Sequence, residues 1–340
     1  MIRALKENMY QKSITLILLL SLVPLYSQSG IEPTAIERAG QSGWQFLKIN
    51  GDPRQASMGG VYLVNRYANA NAVFGSPAIL ASIDRVDIQF NSVNWIADIK
   101  YNSFSMAKRF GRLGSFALSY VNLDYGDIPE TIHEESQGST TTPVITGNYF
   151  TASDVAIGLS FAKKITDYLS LGGNVRYISE KIAGTGMSNW SIDFSTLYYT
   201  GLNSLRISII ARNFGPDQHL VGYSEELQSE AVDIRMPLEF RIGVAYDFFE
   251  NENNENYLTA VIEGKVQSDG AEKINIGAEY VIQEMFFIRA GYRFNYDSEG
   301  LTVGLGFNYL WGKQNMTINY ALLDFQSLKL VHMISIGLNF

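Results

Sequence analysis

From about Arg85 to Phe340 the chain repeats one pattern. Segments of roughly ten residues alternate apolar and polar side chains, and turn residues separate them. "VDIQFNSV", "GSFALSYVNL", "SLRISIIARNFG", "MPLEFRIGVAYDFF", "YLTAVIEGKVQ", "EKINIGAEYVI" and the closing "LVHMISIGLNF" are examples, and fourteen such segments can be counted. Period-two alternation places one set of side chains on each face of a sheet. Val175, Tyr177, Ile207, Ile209, Phe240, Ile242, Val244, Ile262, Ile276, Ile288, Val303, Leu305 and Ile318 fall on the apolar face. The opposite face carries Arg176, Asp193, Arg206, Arg212, Glu239, Arg241, Asp247, Glu263, Lys265, Glu279, Arg289 and Arg293. Gly243, Gly277, Gly291, Gly304, Gly306 and Gly337 share that polar face, so it must be crowded or sharply curved.

Two architectures accept this pattern. A sandwich or propeller buries the apolar face between sheets. A transmembrane barrel turns it to lipid and closes every edge. Three features favour an all-β, antiparallel, transmembrane barrel of about 14 strands. The segments are longer than ordinary strands and suit an apolar band about 25 Å tall crossed at a tilt. Short links such as "TDY", "TGLNS", "QEM" and "WGK" alternate with longer connections, including 124–150 and 215–236. Aromatics gather beside the short links: Tyr168, Tyr198, Tyr199, Phe248, Phe249, Tyr257, Tyr280, Phe286, Tyr309 and Trp311. Such rings favour the lipid–water boundary. An even strand count returns both ends of the strand region to the short-link, periplasmic side, and the final strand is expected to pair with the first.

The N-terminus carries an export address. Arg3, Lys6 and Lys12 flank the apolar "ITLILLLSLVPLY", which ends at "SQSG", the layout of a signal peptide over 1–27 with cleavage after Ser27. Its removal deepens a formal charge already at −8, and an acidic chain argues against nucleic-acid binding. Cysteine is absent, so no disulfide or thiolate site can form. Beyond residue 27 no apolar run reaches the length of a membrane helix.

Residues 28–84 lack clean alternation and form an N-terminal plug or periplasmic segment ahead of the barrel at 85–340. Here "DPRQASMGG" reads as a turn followed by a glycine pair, and "ANANAVFGSPAILASI" as short helix with Pro77 at an early position. Arg54, Met58, Gly59, Gly60 and Pro77 are the candidate plug residues. Since aliphatic side chains fall mainly on the lipid face, any apolar path through the interior must come from residues 43–83.

Chemistry is sparse. His133 and His219 lie in expected loops and His332 in the outward set of the last strand, with no serine–acid arrangement near them, so no catalytic residue is expected. No cofactor motif or metal spacing appears, and the acidic cluster Asp127, Glu130, Glu134 and Glu135 fits no calcium loop. The mixed charges of the inner face, Arg176, Asp193, Arg212, Glu239, Arg241, Glu263 and Arg289 among them, read as a network filling the lumen rather than the lining of an ion-selective pore. The long connections offer the largest surface outside lipid. Tyr125, Tyr149, Phe150 and Tyr223 are the candidate partner-binding residues there.

The order "FLKINGDPRQASMGGVYLV…ANANAVFGSPAILA", then "NWIADIKYNSFSMAKRFGRLGSFALSYVNLDYGDIPE", resembles the PorV/PorQ family of Bacteroidota outer-membrane proteins, itself related to FadL long-chain fatty-acid transporters. The likeness covers most of residues 43–216. Where that family carries an asparagine before its proline–alanine pair, this chain has Ser76. The resemblance implies a fourteen-stranded FadL-like barrel in a Gram-negative outer membrane. It also implies a part in type IX protein secretion, with cargo or secretion machinery as protein partners. The alternative it leaves is a FadL-like transporter of hydrophobic small molecules. A general diffusion pore fits poorly with the long preamble and the mixed lumen.

Overall fold

The computed structural model describes residues 42–340 apart from 64–67, 135–141, 219–222, 225–228, 231–233, 250–255 and 313. The proposed signal peptide lies outside the described residues. Sixteen strands follow in chain order: β1 Asp87–Asn94, β2 Lys100–Arg109, β3 Ser115–Glu134, β4 Thr142–Lys164, β5 Leu169–Ile182, β6 Thr185–Tyr199, β7 Arg206–Phe214, β8 Tyr223–Ser224, β9 Ser229–Glu230, β10 Glu239–Phe248, β11 Tyr257–Gln267, β12 Lys273–Ile282, β13 Phe286–Phe294, β14 Leu301–Trp311, β15 Gln314–Asp324 and β16 Leu330–Asn339. Fourteen of them close into one antiparallel barrel, and β8 and β9 form a separate two-residue ladder inside a connection. The seam runs from Asp87 opposite Asn339 to Asn94 opposite His332, so the last strand does pair with the first.

Alternation sets the faces. Along β10, Glu239, Arg241, Gly243, Ala245 and Asp247 are buried inside, while Phe240, Ile242, Val244 and Phe248 are exposed outside. The same holds for Ile274 and Ile276 on β12, Ile288 on β13, Leu301 and Leu305 on β14, and Ile334, Ile336 and Leu338 on β16. A continuous outward apolar belt of this kind requires hydrocarbon around it. Tyr168, Tyr198, Phe248, Tyr280, Phe286, Tyr309 and Trp311 edge the belt on the short-turn side. Tyr257 departs from that expectation. It is only 1% exposed and turns inward with Val281 and Phe287, because its register opposite Val281 places it on the lumen face.

The connection expected over 124–150 is mostly strand. β2 stops pairing with β3 at Asp124, and β5 stops pairing with β4 at Ala152. Above that level β3 and β4 pair only with each other, as a ribbon that rises about 30 Å beyond the barrel wall. Two register shifts, between Asp124 and Asp127 and between Pro129 and Thr131, break the period-two signal there. The 215–236 connection is tied down by β8–β9 and by bridges from Gln218 to Ile234 and from Ser42 to Arg235.

The lumen is filled by the chain ahead of β1. Ser42 and Gly43 sit at the long-connection mouth, where the Gly43 amide donates to the Arg235 carbonyl (3.0 Å) and Ser42 bonds Asp269. The chain then descends through a 3-10 turn at Gln45–Lys48, a short α-helix at Pro53–Ser57 and 3-10 turns at Ala70–Phe74 and Pro77–Ser82. It reaches Val86, which bonds Phe340 at the other mouth. Asp52 caps the helix by accepting from the Arg54 amide (3.0 Å), and Pro53 occupies the first helical position. Gly59 and Gly60, at φ +76° and +77°, then turn the chain in the left-handed region. The glycines on the inner wall make room for this segment. A Cβ on Gly291 would lie 2.0 Å from the Gly59 nitrogen, and one on Gly277 2.3 Å from the Met58 carbonyl. Met58 is wholly buried in that gap, a side chain worth about 1.5–3 kcal/mol of apolar burial. Trp44, Phe46, Leu63, Ile79, Leu80 and Ile83 supply most of the interior apolar core.

Candidate functional site

The ionised residues of the inner wall hold the plug at its waist. Arg54 donates from Nε (2.9 Å) and Nη2 (2.6 Å) to Glu279, which also accepts from Arg289 Nε (2.6 Å). On the next strands around, Glu239 accepts from Arg241 Nε (2.8 Å) and Arg212 Nη1 (3.2 Å). Arg241 also donates to Glu263 (2.6 Å) and to the Gly60 carbonyl (2.9 Å), while Glu263 accepts from the Tyr62 amide (3.0 Å). The Tyr62 ring lies beneath two guanidiniums, Arg241 at 3.8 Å and Arg212 at 4.9 Å. A third group joins Arg176 to Asp193 (2.7 Å) and Asn213 (2.6 Å). A bulge makes it possible: between Ile192 and Phe194 the register of β6 against β7 shifts, and both Arg212 and Asn213 turn inward. Every charge in these clusters is buried and directly partnered, the condition under which ions persist away from water.

Above the waist a cavity of about 350 Å³ opens toward the long-connection mouth. One wall is apolar: Phe46, Ile49, Trp95, Ile99, Leu123 and Leu323, with Trp95 edge-on to Phe325 at 5.1 Å. The other is cationic. Lys273, Lys265 and Arg293 surround the ring of Tyr296 at 4.3, 5.0 and 5.9 Å. Six strand positions separate β12 from β2 in the order of the barrel, so the two walls stand nearly opposite. Arg293 pairs with Glu299, while the Lys265 ammonium stays 3.8 Å from Glu239, and Lys273 lies over the ring within electrostatic reach of Glu299 and Asp297. Lys48 closes the rim on Asp269 (2.6 Å). Burial works against the Asp269 charge, yet hydrogen bonds from Lys48, Ser42 and Gln45 hold its carboxyl below the ordinary value. Below the waist lies a second cavity of about 280 Å³ at the short-turn mouth, lined by amide and charged side chains.

The positions expected from sequence sort as follows. Arg54, Met58, Gly59 and Gly60 meet the wall at the waist. Pro77 begins the last 3-10 turn and packs against the wall at Gly172, whose Cβ would lie 2.4 Å from the Pro77 carbonyl carbon. Ser76, where the resembled family has asparagine, is buried with its hydroxyl unbonded. Of the four expected partner residues, Tyr125 is half-buried in the upper cavity and donates to Asp154 (2.6 Å), so it faces the interior rather than a loop surface. Tyr149 (66% exposed) and the half-buried Phe150 lie on the β4 arm of the ribbon, not in a loop, and Tyr223 belongs to the β8 ladder. Lys265 is marked in the sequence only as a polar-face residue, and its neighbours Lys273 and Tyr296 and the wall of Trp95 and Leu323 carry no mark there. They come from elements far apart in the chain, and only barrel closure brings them together. His332 faces outward, bonded to Tyr320 (2.7 Å).

No family model matches the chain, and no curated protein matches it. Solved structures do. The Pseudomonas putida toluene transporter TodX aligns at TM-score 0.56 and 12% identity over 86% of this chain and 98% of its own. The Ralstonia pickettii toluene transporter TbuX aligns at 0.53 and 13% over 85% and 97%. A Pseudomonas aeruginosa FadL homologue aligns at 0.53 and 9% over 86% and 97%. The chain has a FadL-like fold. At these identities the likeness concerns architecture: a fourteen-stranded barrel with a FadL-like course.

Proposed function

We propose that this protein is an outer-membrane channel that takes up a hydrophobic small molecule, capturing it in the upper cavity and passing it when the plug shifts. The observation that carries this reading is the two-sided cavity directly above a plug that fills the lumen. Its apolar wall of Phe46, Ile49, Trp95, Ile99, Leu123 and Leu323 gives a hydrophobic body a place to leave water, which a simple diffusion pore would not need. The three cations around Tyr296 give the acidic end of such a ligand a place to pair. Transport of toluene by two proteins of the same architecture supports the hydrophobic class. The test is binding by the purified protein. Octanoate and toluene should each saturate the wild type, and Phe46→Ala with Leu323→Ala should weaken both. If neither probe saturates, the uptake reading falls.

A second reading, a PorV/PorQ-type partner in type IX secretion, keeps one observation in its favour. The β3–β4 ribbon stands clear of the barrel and presents Ile132, Ile145 and Tyr149 to solvent. Two-stranded ribbons are only marginally stable alone, and a docked protein would cover these residues. Affinity capture from native membranes decides it: recovery of secretion components or exported cargo supports the reading, and their absence removes it.

A further inference from the structure

The outward apolar belt has a notch beside the seam. β1 and β2 each turn only two apolar side chains outward, Ile88 and Phe90 on the first, Phe104 and Met106 on the second. Above them come Ser92 and Asn94 on β1, and Asn102 and Lys100 on β2, all exposed. Height can be counted from the short-turn end of each strand. Ser92 stands five residues above Asp87, Asn102 seven above Arg109 and Asn122 seven above Ser115. At comparable heights elsewhere the outward side chains are apolar. Ile192 stands seven residues above Tyr199, and Ile242, Ile276 and Leu305 stand six above Phe248, Ile282 and Trp311. Register places Ser92, Asn102 and Asn122 side by side, at a level where β6, β10, β12 and β14 meet hydrocarbon.

A groove of about 340 Å³ lies at this notch and opens outward. Phe90, Phe104, Tyr120 and Ile334 wall it, with the Phe90 and Phe104 rings 5.0 Å apart. Its polar edge is Ser92, whose hydroxyl donates to Asn102 Oδ1 (2.9 Å) and leaves the Asn102 N–H groups for another acceptor. Lys100 follows on the next outward rung, between Asn94 and Asp124, and enters no ion pair among the described residues. Asp124 itself accepts from the Gly126 amide (2.9 Å). The wall behind the groove is closed: β1 pairs with β2 from Asp87 to Asn94, and on the inner side Asn91 donates to Asn71 (3.0 Å) and Ser103 (2.9 Å). The groove is therefore no side door to the lumen, and its occupant comes from the membrane. We propose that this notch holds one phosphate-bearing lipid, with an acyl chain in the aromatic groove and the headgroup drawn down beside Ser92, Asn94, Asn102 and Lys100. Hydrocarbon alone fits the notch badly, because exposed amides and an ammonium cost free energy at that depth. A phosphate brings acceptor oxygens for the amides and a negative charge for Lys100. A neutral lipid meets the amides and leaves the ammonium unpaired. The site lies outside a closed wall and does not depend on the uptake reading.

Native mass spectrometry of the full-length protein in nonionic detergent tests the assignment, with dioleoylphosphatidylglycerol as the probe. A single bound lipid is expected, retained about tenfold better than dioleoylglycerol, which has the same chains and no phosphate. Lys100→Ala and Asn102→Leu should each cut retention about fivefold, the worth of one hydrogen bond, while Ile242→Leu on the far wall leaves it in place. Equal retention of the two lipids overturns the proposal, as does retention that both notch variants leave unchanged. Inorganic phosphate at matched concentration should not displace the lipid, and full displacement overturns the lipid assignment in favour of the free anion. A lipid-free dimer, its notch covered by a second copy, overturns it as well. Should a variant fail to insert, phosphatidylglycerol carrying a diazirine in its acyl chain must label the wild type mainly between Phe90 and Tyr120. Labelling spread evenly around the wall overturns the proposal equally.

Discussion

Removing Glu279 should unfasten the plug while leaving the barrel closed. In the wild type this carboxylate accepts three charged hydrogen bonds, two from Arg54 and one from Arg289, with the Arg54, Arg289 and Glu279 side chains 6%, 2% and 1% exposed. Glu279→Ala leaves two buried guanidiniums without their carboxylate. Breaking a buried pair in this way costs about 3–5 kcal/mol. Even the lower figure is about two decades in an opening equilibrium, since ~1.4 kcal/mol is tenfold. The plug helix reports it directly: the Ala56 amide is bonded to Asp52, and the Met58 and Gly60 amides to Gln55. Hydrogen exchange at these amides should accelerate by ~10²-fold, with strands β5 and β10 unchanged. Arg54→Ala alone should accelerate it too, and the double variant should cost well under the sum of the two, with a coupling of about 2 kcal/mol. Unaltered exchange at Ala56 in Glu279→Ala, or strict additivity in the double variant, would refute the claim that this cluster holds the plug.

Gly291→Val should expel Met58 and Gly59 from the wall, because no Cβ fits 2.0 Å from the Gly59 nitrogen. Single-channel recording in planar bilayers should then show a raised conductance relative to the wild type. Ile276→Lys places a charge on the outward face within the β12 span and should cost about 2–4 kcal/mol of folding into vesicles, whereas Gly264→Ser, with open space around it, should cost little. The tie between Ser42, Gln45, Lys48 and Asp269 should depend on pH. The Asp269 carboxyl is held below its ordinary 3.8, so the contact is fully formed above that value and is lost as pH falls through the lowered one. Fluorescence of the neighbouring Trp44 should report release under acid, and Asp269→Asn should release it already at pH 7. Lys273→Ala should weaken octanoate binding several-fold and leave toluene unaffected, as measured by competition.

The strands were legible because each buries one face and exposes the other, so the wall is written in the order of residues along β10 or β12. Crowding on the inner face could be read from Gly277 and Gly291 alone. The ribbon was not legible. Gly126, Pro129 and the register shifts erase the alternation, and no buried face enforces it. Tyr257 misled because an aromatic beside a turn serves either face, and only its register opposite Val281 chooses. The two cavities left no local trace, since Trp95, Lys273 and Leu323 meet only when the cylinder is complete.

The N-terminal segment runs the whole length of the lumen, from Asp269 at one rim to Phe340 at the other. A thread in that position cannot be inserted afterwards without pulling its leading end through a tube already blocked by its own side chains. The order of biogenesis follows: the described residues between 42 and 84 must lie against the curling sheet while β1 and β16 are still apart, and zipping of that last seam shuts the thread in. The preamble would then serve as a mandrel around which the wall is wound, and shortening it should slow insertion.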